Sequence, residues 1–254
     1  MFKKSLIVLG IIVSLLIIAC EVKFLSSLTS PVPEVTMVAQ DSIKPSYDYL
    51  KSMAVYIIGC SGEIDISEKL TYKLDNGGMC WAGTGVIVKI DDNETYILTN
   101  GHVAGKDKND VILFVENDNR KFHADVVDYD KKIDAAVIKV NSVLKNKSAI
   151  KGIAEVDIQD PVYIVGNPLS VKFTYTEGVV ANFEGVDILI QAPCIYGNSG
   201  SGVFNKYGEL VGLVYALEVY PGFMGIPTAR ITHTLAVDSK FIKTFLQELG
   251  LYNE

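Results

Sequence analysis

From about Tyr47 onward the chain is a succession of short β-rich runs broken by turn residues, and this rhythm constrains the fold more than any other feature. The runs are Ala54–Gly59, Gly85–Ile90, Thr95–Thr99, Val111–Val115, Lys121–Asp128 and Ala135–Val140, then Val162–Val165, Phe173–Ala181, Asp187–Gln191, Gly202–Phe204, Leu210–Ala216 and Ile226–Ile231. They fall into two groups of about six, joined through Asn141–Lys151. Many short strands at such spacing build sandwiches or barrels, and two equal groups predict two barrels in tandem within one all-β domain. With 49% of its residues apolar, the chain can bury a sizeable core. Only the end reads as helix. Asp238 is placed to cap it, Phe241, Ile242, Phe245, Leu246 and Leu249 share one face, and Gly250 is a suitable stop.

The N-terminus bears on compartment. Lys3 and Lys4 precede an almost wholly apolar run, Leu6 to Ala19, which is shorter than a membrane span and fits the hydrophobic part of a signal peptide. Ile17-Ile18-Ala19-Cys20 resembles a bacterial lipobox, in which cleavage precedes the Cys and its thiol carries lipid. An uncleaved anchor helix and an ordinary cleaved signal are the other readings. All three put the body of the chain outside the cytoplasm, with the membrane reached through the N-terminus. Residues 20–46, with Ser-Ser-Leu-Thr-Ser-Pro-Val-Pro at 26–33, read as a tether. Outside the cytoplasm a disulfide is permitted. Cys60 closes one expected strand and Cys80 opens the next, so a bridge between them is one reading and two buried thiols the other.

The charge balance excludes one class of partner. There are 23 basic and 30 acidic residues, and beyond the N-terminus no Lys/Arg cluster offers the cationic footprint that nucleic acid requires. Three scattered histidines, with no His-Glu-x-x-His and no Cys-x-x-Cys, give no support to a metal site, and no phosphate loop or other cofactor motif is present.

Nucleophilic catalysis is better supported. Ser199 lies in Tyr196-Gly197-Asn198-Ser199-Gly200-Ser201-Gly202. Glycines there let the backbone adopt positive φ and aim amides at an oxyanion, and Gly197 and Ser199 are the amides assigned to that role. A serine needs a base. His102 follows an apolar strand and stands beside Gly101, whereas His123 and His233 lie in surface-like contexts. Asp134 opens the apolar run Ala135–Val140, which is expected to shield it, while Asp128 and Asp130 read as turn residues. Asp134 would orient His102 and stabilise its imidazolium. The order His102, Asp134, Ser199 differs from the orders of subtilisins and α/β-hydrolases and is that of the chymotrypsin class.

Several blocks together carry a resemblance. Gly83-Thr84-Gly85-Val86-Ile87-Val88, Leu98-Thr99-Asn100-Gly101-His102-Val103, Asp134-Ala135-Ala136-Val137-Ile138-Lys139-Val140 and Gly197-Asn198-Ser199-Gly200 resemble trypsin-like serine proteases of the HtrA/Deg type, in the family's order over about 50–240. So do Val165-Gly166-Asn167-Pro168, Glu177-Gly178-Val179-Val180 and Gly208-Glu209-Leu210-Val211-Gly212-Leu213-Val214. The resemblance implies a chymotrypsin-like double β-barrel with a C-terminal helix over 47–254. It also implies a serine endopeptidase that acts on polypeptides through an acyl-enzyme, with His102 and Asp134 from the first barrel and Ser199 from the second. The rival expectation is a membrane-tethered pseudoprotease that binds peptide without cleaving it. Where the family usually continues Ser-Gly-Gly-Pro, this chain has Ser199-Gly200-Ser201-Gly202, which makes Ser201 a rival nucleophile by position. No PDZ domain of the kind usual in the family is expected to follow, so its assembly and peptide regulation are not carried over. Pro193 stands where Lys/Arg-selective relatives place an Asp, and Tyr215, Ala216 and Leu217 are the expected pocket walls, predicting an apolar or small residue before the scissile bond.

Overall fold

The computed structural model describes residues 44–61, 64–65, 73–74, 79–105, 111–220 and 230–253. The signal-like segment, Cys20 and nearly all of the tether lie outside these residues. A short helix, α1 (Tyr47–Met53), leads in. Ser46 caps it by accepting from the Tyr49 amide at 3.2 Å, and Leu50 and Met53 on its inner face are wholly buried. The sequence reading missed this helix.

Two closed six-stranded antiparallel barrels follow. The first orders β1 (Ala54–Ser61), β4 (Met79–Ile90), β5 (Thr95–Asn100), β8 (Ala135–Val140), β7 (Arg120–Asp130) and β6 (Val111–Asn117) into a ring. The second closes β10 (Thr174–Glu184), β11 (Asp187–Gln191), β14 (Arg230–Asp238), β13 (Leu210–Tyr220), β12 (Gly202–Phe204) and β9 (Pro161–Gly166). A two-stranded pair, β2 (Ile64–Asp65) with β3 (Lys73–Leu74), lies in the β1–β4 connection. Shifts of register in β4 and β7 mark bulges, which bend a strand and help close a barrel. The closing helix, α2 (Ser239–Glu248), has Asp238 as its cap and buries Ile242, Phe245 and Leu246.

The apolar runs are continuous because several strands are buried on both faces. Ile97 and Ile138 face the interior of the first barrel with Val55, Ile57 and Ile87, while their neighbours Leu98 and Val137 turn outward. Likewise Ile164 faces the second barrel's interior, and Tyr163 and Val165 turn outward. The outward set meets Leu50, Met53, Phe204, Leu213 and Ile242 in a shared core between the barrels. Each such side chain contributes roughly 1.5–3 kcal/mol on burial, so this seam is a strong clamp on the relative position of the barrels.

Two expectations shift. The final strand, expected at Ile226–Ile231, runs Arg230–Asp238, and 226–229 lie outside the described residues. Cys60 and Cys80 face each other across β1 and β4 and are joined by a disulfide, with Cα atoms 4.1 Å apart. Among the described residues, no helix is long and apolar enough to cross a membrane.

Candidate active site

His102 lies in the turn that follows β5, and Asp134 in the turn that precedes β8. Since β5 and β8 are paired with Asn100 opposite Ala135, these turns emerge side by side at one rim of the first barrel. Asp134 has φ +49, a left-handed conformation that Asp tolerates better than most residues. Its backbone carbonyl accepts from Gly101 N at 2.9 Å and from Asn100 Nδ2 at 3.1 Å. Its carboxylate then reaches His102 twice. Oδ1 accepts the His102 amide at 3.0 Å, and Oδ2 lies 2.5 Å from Nδ1. A proton on Nδ1 serves that contact, leaving Nε2 as the acceptor that faces the cleft. Gly101 matters for its bareness: a Cβ there would stand 2.9 Å from Asp134 Oδ1.

The shielding expected of Asp134 is corrected by the structure. The apolar strand buries Ala135 onward, but Asp134 sits before it in the turn, and its side chain remains 35% exposed. The carboxylate is fixed by bonds rather than by exclusion of water.

Ser199 belongs to the loop between β11 and β12. Gly197 (φ +97) and Gly200 (φ +84) bend it, and neither accommodates a side chain. A Cβ on Gly197 would strike the Asn167 carbonyl, and one on Gly200 the Thr84 carbonyl. Within the loop, the amides of Asn198, Gly200 and Ser201 donate to Ile195, Val214 and Asn198 carbonyls. Those of Gly197 and Ser199 take no part in these bonds. The Ser199 hydroxyl donates to the Tyr215 carbonyl over a long 3.5 Å.

The loop is tied to the first barrel by a residue whose role the sequence reading did not assign. Thr84, fully buried on β4, uses its hydroxyl completely: it donates to Gly197 O at 2.8 Å and accepts from Asn167 N at 3.1 Å and Asn167 Nδ2 at 3.0 Å. Its amide donates to Ser199 O at 2.8 Å, and its carbonyl accepts from the Thr99 hydroxyl at 2.7 Å. Asn167, also fully buried, donates onward to Val55 O. A polar residue set between Gly83 and Gly85 in an apolar strand was the available signal.

His102, Ser199, Tyr215 and Ala216 line one cleft of about 390 Å³, together with Ile195, Tyr196 and Val214. Tyr215 is half-buried there, and burial with the nearby Asp187 carboxylate pushes its phenol up to about 12, so it stays neutral. Pro193, at the position where Lys/Arg-selective relatives place an Asp, is exposed and is not among the described residues that line the cleft. Leu217 pairs with Thr234 on β14, and its side chain lies outside the description. Pairing of β13 with β12 ends at Leu213, and among the described residues no strand pairs with that edge past Val214, the kind of edge that takes an added peptide strand. Ser201 is fully buried, its hydroxyl without a partner among the described residues, and so is not poised as a nucleophile. His123 lies on β7, 3.5 Å from Asp125, and His233 on β14; neither lines the cleft.

Two six-stranded antiparallel barrels clamped face to face define the chymotrypsin-like double-barrel fold. The solved structure of the HtrA-type protease AlgW with a decapeptide shares this fold, with a TM-score of 0.59 over 81% of this chain and 67% of that one, at 23% identity. Residues 83–213 match the trypsin-like peptidase domain, and the chain belongs to that family. Proteins described as serine protease HtrA-like from Staphylococcus aureus strains USA300 and COL are each 33% identical over 177 residues. The match takes in 61% of this chain but only 22% of theirs.

Proposed function

We propose that the chain cleaves polypeptides by acyl transfer at the outer face of a membrane, with Ser199 as nucleophile, His102 as base and Asp134 as the residue that orients it. The 2.5 Å contact between His102 Nδ1 and Asp134 Oδ2 carries the reading, because it leaves Nε2 free to accept a proton in the cleft that Ser199 lines. When peptide binds, the Ser199 hydroxyl leaves its long contact with the Tyr215 carbonyl and turns to His102; catalytic hydrogen bonds commonly tighten only in the substrate complex. Attack on the scissile carbonyl transfers the hydroxyl proton to His102. The amides of Gly197 and Ser199 take up the oxyanion, each worth about 3–4 kcal/mol in such sites. His102 then returns its proton to the leaving amine, and water, activated by the same imidazole, releases the acyl group. Apolar walls from Ile195, Val214, Tyr215 and Ala216 favour an apolar or small residue before the scissile bond. The basic start and short apolar run ending at Cys20 support export and attachment through that cysteine.

The deciding experiment is labelling of the full chain by a fluorophosphonate probe, beside Ser199→Ala and Ser201→Ala. Labelling of wild type and Ser201→Ala, lost in Ser199→Ala, is the expected result. A well-folded wild type that never labels would overturn the hydrolytic reading in favour of peptide binding without cleavage. For the anchor, Cys20→Ser is expected to abolish palmitate incorporation in expressing bacteria; label retained in that variant would remove Cys20 from the account.

A further inference from the structure

Apart from the cleft, a cavity of about 510 Å³ opens where α1, the β6–β7 turn, the connection between barrels and the β9–β10 loop meet. That volume lies in the range of small-molecule sites. Its wall carries Lys51, Lys145, Lys147 and Lys172. Against them stand Asp48, Glu116 and Asp118, so the lining is net positive. Lys172 is already neutralised by Glu116 at 2.5 Å. Among the described residues, no ion pair engages Lys51, Lys145 or Lys147.

Lys147 lies deepest. Its ammonium donates to the carbonyls of Lys51 at 3.0 Å and Ala54 at 2.6 Å, and lies 4.5 Å from the centre of the Phe173 ring. Lys51 Nζ is 5.6 Å from the same ring centre. Two ammonium groups therefore flank one aromatic ring in a half-dry recess. Burial first, then the charge of Lys51, lowers the Lys147 pKa to about 8, with Asp118 acting in the opposite sense. An anion seated between the lysines would relieve both penalties, and Lys is well suited to phosphate or carboxylate as a point charge.

We infer that this cavity binds a small organic anion bearing a phosphate or carboxylate group, held by Lys51, Lys145 and Lys147 with its body against Phe173. Occupancy is transmitted to the active site, a consequence that rests on the peptidase reading above. The Phe173 amide donates to Asn167 Oδ1 at 3.0 Å, and Asn167 Nδ2 in turn donates to Thr84 Oγ1. Tyr56, in the cavity wall, donates from its hydroxyl to Ser170 Oγ at 3.0 Å. In the same loop the Leu169 amide donates to Tyr196 O at 2.8 Å. That carbonyl shares a peptide plane with the Gly197 N–H, so the bond sets where this oxyanion donor points. Leu169 (φ +48), Ser170 (φ +65) and Phe173 (φ +58) all hold left-handed conformations that non-glycine residues rarely adopt. A segment so strained is suited to a change of state when a ligand grips one end.

The test titrates the full chain calorimetrically with inorganic pyrophosphate, and separately with citrate, against Lys51→Gln and Lys147→Met. Saturable binding of one probe or both is expected, the stronger arm identifying phosphate or carboxylate as the group preferred. Each variant should weaken it at least about tenfold. Lys51→Gln, at a partly exposed position in the last turn of α1, guards against a Lys147→Met protein that does not fold. Citrate should bind more weakly as pH rises through about 8 and Lys147 loses its proton; Lys51, Lys145, Lys172, Asp48, Glu116 and Asp118 are the other charged groups that face the site. Binding of neither probe, or undiminished binding in both variants, overturns the site. Saturating probe should also change the rate of fluorophosphonate labelling in wild type and leave Lys51→Gln unaffected. If wild type does not label, the peptidase reading fails separately, and the Leu169 and Gly197 amide shifts report the coupling. Binding that moves neither rate nor shifts overturns the transmission.

Discussion

The two halves of the cleft are held in different ways. His102 and Asp134 rest on one barrel, in adjoining turns locked by bonds among Asn100, Gly101, His102 and Asp134. Ser199 rests on the second barrel, whose Val214 and Leu169 bond its loop, but that loop is also tied to the first barrel through Thr84. The His102–Asp134 half is therefore a local construction, and the Ser199 half is completed only when the barrels dock. Damage to the first half should change chemistry and leave the fold intact. Damage to the contacts of the second should cost both.

The largest effect is expected from Asp134→Asn. It preserves the contacts sterically but favours the wrong imidazole tautomer, so kcat on a peptide substrate should fall about 10⁴-fold. Unchanged thermal unfolding would place the loss in chemistry alone. A Tm lowered by several degrees would break the comparison, showing that the first half also depends on this carboxylate for its fold.

Thr84→Val comes next and attacks the seam. It strands Gly197 O and Asn167 N and leaves Asn167 Nδ2 with Val55 O alone, in a site where each unpaired buried group costs about 1–3 kcal/mol. Fluorophosphonate labelling should collapse and the Tm should drop, while the His102 ring NMR shifts at fixed pH stay as in wild type. Thr84→Ser, which retains the hydroxyl, should restore labelling. If Thr84→Val labels normally, the nucleophile loop holds its own shape and the contrast between the halves is lost.

This contrast explains what the sequence made legible. His102, Asp134 and Ser199 each stand in a local pattern: a strand end beside glycine, a strand start, a glycine-bent turn. The role of Thr84 was hidden because its hydroxyl's partners lie 83 and 113 residues away. Barrel count and strand grouping were legible because apolar runs mark strands whichever face they bury. The same double-sided burial masked the end of β14, where Leu235-Ala236-Val237 reads as easily as the approach to a helix. Helix α1 offers only seven residues, two of them Tyr, too few to establish a helical period. The exposure of Asp134 was missed because shielding by the strand it precedes depends on the turn's direction, which a left-handed φ sets.

A smaller effect should follow removal of the disulfide. Cys60 and Cys80 close a loop at sequence separation 20, worth roughly 3 kcal/mol in chain entropy. Cys80 shares β4 with Thr84, but the bridge does not join the barrels. The Cys60→Ala/Cys80→Ala protein should thus unfold at lower temperature yet label at the wild-type rate below its Tm. Loss of labelling in folded protein would mean that the seam extends along β4 to the bridge.

The smallest effect is expected at Ser201, and it tests the second half from within. This side chain is fully buried beside the nucleophile loop, and its hydroxyl has no partner among the described residues. Gly166 makes room for it, since a Cβ there would run into both Ser201 Oγ and Asn198 Oδ1. Ser201→Ala removes a desolvated hydroxyl and keeps the backbone bonds Ser201 N to Asn198 O and Val214 N to Ser201 O. Burying such a group unpaired costs about 1–3 kcal/mol, offset by the contacts its oxygen makes, so stability should stay level or rise slightly. Labelling should match wild type, because the loop's shape comes from backbone bonds and from Thr84. A clear loss of Tm in Ser201→Ala would instead assign the hydroxyl a bond, adding a side-chain tie to the backbone bonds by which the loop's own barrel already holds it.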